Sequence, residues 1–100
     1  MAASATFAVR EVFRLSSGPS IVFAGLVLDG EVSAGMEILV ELQPRLTCSC
    51  RISGVEYIDR PSVGESLVGL VCPETEPDQA GFYSDLCPPG TLVTINGRDV

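Results

Sequence analysis

Residues 36–43 alternate, with Met36, Ile38, Val40 and Leu42 on one parity and Glu37 and Glu41 on the other. A period of two residues marks a strand with one buried and one wet face. Five further segments are rich in β-branched and apolar residues, and none carries a helical i, i+3, i+4 stripe long enough to compete. Strands are therefore expected near 6–14, 20–28, 36–43, 47–58, 66–72 and 91–96. Turn signals separate them: Gly18-Pro19, Asp29-Gly30, Ala34-Gly35, residues 61–64, residues 88–90 and Asn96-Gly97.

Two segments break their own period. In the fourth, Cys48, Cys50 and Ile52 share a parity, but Val55 and Tyr57 continue on the opposite one, so a bulge at Ser53-Gly54 is needed to keep all five inward. The first slips in the same way between Val9 and Val12. The second segment is apolar on both parities, with Ile21, Phe23 and Val27 on one and Val22, Ala24, Leu26 and Leu28 on the other. Something must cover its second face. The long connection 73–90 is the expected cover, and an exposed patch for a partner is the alternative. Six strands with two kinks favour an all-β fold closed into a small six-stranded barrel, which removes exposed edges.

One hundred residues suit one domain, expected to span residues 1–100. Charge narrows the function more than size does. Thirteen acidic residues face six arginines, with no lysine or histidine, for a net charge of −7. Nucleic acid is held chiefly by cations on phosphates, and anionic membrane surfaces repel such a chain. The missing histidine removes the commonest general base and zinc nitrogen ligand. No GxSxG elbow surrounds any serine, and no carboxylate pair stands apart among Glu31, Glu37, Glu41, Glu56 and Glu65, so no enzyme activity is expected. Residues 1–10 lack the pattern of a secretory signal, and no run approaches the ~20 apolar residues of a membrane span. The default is a cytoplasmic location, where Cys48, Cys50, Cys72 and Cys87 are read as reduced thiols ahead of a disulfide or a zinc set. Neither metal nor cofactor is expected.

Several segments run in a familiar order: residues 7–13 (FAVREVF), 20–35 (SIVFAGLVLDGEVSAG), 36–40 (MEILV), 53–56 (SGVE), 62–70 (SVGESLVGL) and 85–93 (DLCPPGTLV). Together they resemble the second domain of translation GTPases such as elongation factor Tu, over about residues 6–95. The resemblance implies a six-stranded barrel. It also implies a site for the aminoacylated 3′ end of tRNA at Glu56 and Leu70, a carboxylate and an apolar wall about an adenine. Asp59 stands where the family carries a basic residue, and Leu26 replaces the arginine of its TGR, which removes cations from that site. The GTPase parts are missing, and without lysine no GxxxxGK[ST] loop exists to bind GTP.

The connection 73–90 carries Glu74, Glu76, Asp78 and Asp85 beside the aromatics Phe82 and Tyr83. Long loops are functional or mobile. With the apolar second strand these residues form the candidate surface for a protein partner, a basic one given the charge. Phe82 is alternatively a plug for the barrel end. The expected function is thus a non-catalytic barrel that binds protein; the alternatives are an RNA-end binder using Glu56 and Leu70, and a structural domain of a larger protein.

Overall fold

The computed structural model describes residues 4–15, 20–43, 46–60, 65–74 and 79–97. The described residues form seven antiparallel strands: β1 (Ser4–Arg14), β2 (Ser20–Asp29), β3 (Glu37–Gln43), β4 (Leu46–Arg51), β5 (Gly54–Arg60), β6 (Glu65–Pro73) and β7 (Thr91–Asn96). One helix, α1 (Gln79–Leu86), precedes β7. The strands form one sheet in the order β4-β3-β7-β1-β2-β6-β5, curled into a half-barrel.

Seven strands appear where six were expected because the fourth segment divides at Ile52-Ser53. On one side β4 pairs with β3, Cys50 opposite Ile38; on the other β5 pairs with β6, Gly54 opposite Val71. Backbone bonds secure the bend. Ile52 N–H donates to the Met36 carbonyl at 2.8 Å and Ser53 N–H to that of Val71 at 2.7 Å. The two end strands of the sheet are therefore consecutive in the chain. The parity change across Ser53-Gly54 marks this bend, and Ile52 is buried while Val55 packs against the same core.

The irregularity between Val9 and Val12 also has a location. The β1–β2 register shifts between Val9 and Glu11, so Val9 and Val12 both stay inside. At that shift Gly25 lies so close to β1 that a Cβ would land on the Ala8 carbonyl oxygen and against the Phe7 ring. Glycine lets the backbones approach there.

The inner face buries Phe7, Val9, Ile21, Phe23, Ile38, Val40, Ile52, Leu70, Val93 and Ile95 in one cluster. The alternation of the third segment holds, with Met36, Ile38 and Val40 buried. On the second face of β2, Val22 and Ala24 pack with Leu67 and with Phe13, Leu15, Leu26 and Val71. Ile21 to Gly25 are all buried, and Leu28 near the end of β2 is exposed.

The connection expected to be a loop over 73–90 contains α1. Eight residues are too few for a recognisable helical stripe, and only Tyr83 of α1 is buried. Tyr83 meets Phe23 edge-on, with ring centroids 5.5 Å apart, so α1 packs on the core cluster rather than on the second face of β2. Among the described residues no helix is long and apolar enough to cross a membrane.

Candidate functional site

The inner face does not end at the core. Val27 of β2, Val55 of β5 and Val68 of β6 continue the inward parity, and all three pack on the main cluster while remaining only half-buried. They floor a cavity of about 420 Å³, walled by Gly30, Glu31 and Val32 after β2 and by Tyr57 of β5. Pockets that take small ligands start at about 300 Å³. Gly30 turns the chain into this wall with φ of 81°, a left-handed conformation that suits glycine.

Tyr57 stands opposite Val68 in the β5–β6 register, so its ring leaves the sheet on the cavity side. It is nonetheless 85% exposed, the most exposed large apolar side chain among the described residues. Glu31 adds an exposed carboxylate to the same rim. Among the described residues the lining holds no arginine.

Along β6 the inward positions run from Val68 through Leu70 to Cys72, about 13 Å at the usual rise of a strand. At the Cys72 end α1 covers the core. There Tyr83, Cys50, Cys72 and Cys87 are buried and Cys48 is half-buried. The Cys50 and Cys72 thiols share a hydrogen bond, and the Tyr83 hydroxyl also bonds to Cys50. The bond from Cys72, aided by Tyr83 and opposed by burial, lowers the Cys50 pKa to about 7. That same bond, with burial, raises Cys72. Burial raises Tyr83 and Cys87 as well. All four cysteines are free, and among the described residues no three His, Cys, Asp or Glu side chains converge as a metal-ligand set.

The residues singled out in the connection are dispersed. Glu74 is turned inward, its side chain 6% exposed and its carboxylate 3.0 Å from the Arg14 guanidinium. Phe82 and Asp85 lie on the outer side of α1, both exposed. Tyr83, not Phe82, is the aromatic that plugs the core; the two rings touch edge-on at 5.3 Å. Glu76 and Asp78 lie outside the described residues.

Glu56 and Leu70, the pair implied by the resemblance, are not brought together. Leu70 pairs with Val55 and has no exposed surface, whereas Glu56 pairs with Gly69 and faces solvent. The cavity involves the neighbours of both: Val55 and Tyr57 flank Glu56, and Val68 lies two residues from Leu70. Sequence reasoning missed the cavity because its walls come from three strands and a turn. The one available signal was the inward parity of Val55 and Tyr57 after Gly54. No family model matches the chain, nor does any curated protein or solved structure.

Proposed function

We propose that this chain is a non-catalytic binding module whose half-buried cavity receives an apolar side chain from a basic segment of a protein partner. The observation that carries the proposal is the Tyr57 ring, left in water beside a valine floor. Tyrosine at the edge of an apolar recess is a common energetic centre of protein interfaces, because its ring becomes fully desolvated only when the partner arrives. Glu31 on the rim and the net charge of −7 favour arginine or lysine next to the inserted side chain.

In the same proposal β4 and β5 act as one strand bent at Ile52-Ser53, closing the sheet into the six-stranded barrel that the sequence pattern and the resemblance suggest. The hydrogen bonds on either side of the bend support this. Closure makes the cavity one mouth of a barrel whose other mouth is covered by α1.

A second function, binding of an RNA 3′ end, is favoured by one observation: the exposed Tyr57 ring beside Glu56 offers a face on which a base can stack. The carboxylate on the rim, and the lack of arginine among the described lining residues, count against phosphate nearby.

Panning a displayed library of random peptides against the immobilised chain, at low and high salt, tests the proposal. Enriched peptides are expected to place an aliphatic or aromatic residue beside arginine or lysine, and to lose at least tenfold in affinity for Tyr57→Ala and several-fold for Glu31→Gln. Enrichment indifferent to both substitutions would sink it. A parallel titration with single-stranded RNA ending in adenosine would instead support the second function if Tyr57→Ala abolished its binding.

A further inference from the structure

The buried thiols at the covered end of the sheet have no part in the proposed binding. Cys50 belongs to β4 and Cys72 to β6, strands that are not hydrogen-bonded neighbours but pack across the interior. Both side chains lie in the same buried cluster, and each thiol shifts the titration of the other. Cys48 is a poor partner for Cys50, since residues two apart on a strand hold parallel side chains roughly 6.6 Å apart, beyond disulfide reach. Cys87 feels the charge on Cys50 without a hydrogen bond between them.

We propose that Cys50 and Cys72 form a reversible disulfide when the folded chain meets a hydroperoxide, tying β4 to β6 across the core.

The two sulfurs have different roles. Cys50 keeps 7% of its surface exposed and Cys72 none, so a small oxidant reaches Cys50 first. The thiolate, the reactive form, is favoured at Cys50 by the bonds from Cys72 and Tyr83. Its sulfur attacks one peroxide oxygen; the O–O bond breaks, the electron pair leaves with the other oxygen as hydroxide, which takes up the proton the Cys50 thiol gave off and becomes water, and Cys50 becomes a sulfenic acid. Cys72 sulfur then attacks Cys50 sulfur, the S–O bond breaks, and hydroxide departs with the Cys72 proton as a second water. In sum two thiols and one hydrogen peroxide give one disulfide and two waters. The hydrogen bond with Cys50, then burial, then the Cys50 charge raise the Cys72 pKa, and sulfenic acid formation removes that charge before Cys72 must act. Two equivalents of a small thiol, themselves ending as a disulfide, return the two electrons and reverse the step.

The test treats the full, folded chain with hydrogen peroxide, blocks remaining thiols and maps linked peptides without reduction. Cleavage at arginine leaves Cys48 and Cys50 on one peptide, so fragmentation must distinguish them; the Cys48→Ser/Cys87→Ser double variant, with only Cys50 and Cys72 left, removes the ambiguity. Expected are a Cys50–Cys72 link in both proteins, an intact mass lower by two hydrogens, and a higher melting temperature that dithiothreitol reverses. In Cys72→Ser, dimedone should trap a sulfenic acid on Cys50. A link through Cys48 or Cys87 instead, oxidation of Cys50 to sulfinic acid without a link, or survival of both Cys50 and Cys72 as thiols after peroxide in the folded chain would each overturn the proposal. The wild-type map decides even if a variant fails to fold.

Discussion

Glu56 and Leu70 stand on opposite faces of the β5–β6 pair, one in solvent and one wholly inside. Their substitutions should therefore separate. Leu70→Ala is expected to cost about 2–5 kcal/mol of stability through a cavity in the core, read by denaturant unfolding. Glu56→Ala should stay within about 0.5 kcal/mol of wild type. A stable Leu70→Ala would mean that Leu70 is not part of the packed interior.

Gly25 and Gly54 make a sharper contrast, since both were strand glycines in the sequence. Alanine at Gly25 drives a methyl group into the Ala8 carbonyl, and a loss of at least about 3 kcal/mol or failure to fold is expected. At Gly54 nothing lies within 4 Å of the added Cβ, so alanine should be neutral or stabilise by up to roughly 1 kcal/mol through the unfolded chain. Thermal melts of the two variants check both.

Phe82 and Tyr83 are adjacent yet have opposite fates. Tyr83→Ala should cost about 3–5 kcal/mol and loosen α1, visible as faster amide exchange over residues 79–86. Phe82, 47% exposed, should tolerate alanine within about 1 kcal/mol. Tyr83→Phe keeps the packing but removes the hydroxyl bond to Cys50, so the Cys50 pKa should rise toward that of an ordinary thiol. The ultraviolet absorbance of the thiolate follows this directly.

Stability under reducing conditions should depend on pH through the same thiols. Cys50 has its folded pKa lowered from 9.0 to about 7, so between these values the folded state holds fewer protons than the unfolded one. Its contribution is complete above about pH 9 and disappears as pH falls through 7. Cys72 and Cys87 are raised, so theirs is complete below about pH 9 and lost as pH rises further. The chain should thus be most stable near pH 9, by roughly 1–2 kcal/mol over pH 6. In Cys50→Ser the rise between 7 and 9 should vanish; its persistence would assign the slope to other groups.

Much of the sheet was legible because strand alternation is local. The parity of Met36, Ile38 and Val40 specified β3, and the broken parities near Val9 and Gly54 marked the β1 register shift and the β4–β5 bend. What was not legible depends on distant partners. Nothing in adjacent Phe82 and Tyr83 reveals the phase of a two-turn helix, so the buried ring could not be chosen. Glu74 reads as a solvated loop acid until Arg14, sixty residues earlier, is placed against it. Likewise Val27, Val55 and Val68 are ordinary core valines in sequence; only the curl of the sheet leaves them half-covered.

The position of β7 has a kinetic consequence. It lies between β3 and β1, with Asn96 opposite Ser4, so the C-terminal strand of the sheet joins the β3–β4 hairpin to the rest. Until it arrives, β3 has no strand paired on its other side, and the β1 edge beside Phe7 and Val9 stays unpaired. Such non-local pairing slows folding, because the loop must close before its contacts compensate. During synthesis the chain must therefore wait for residue 96 with two incomplete half-sheets, the interval in which a chaperone or a second nascent chain would find it.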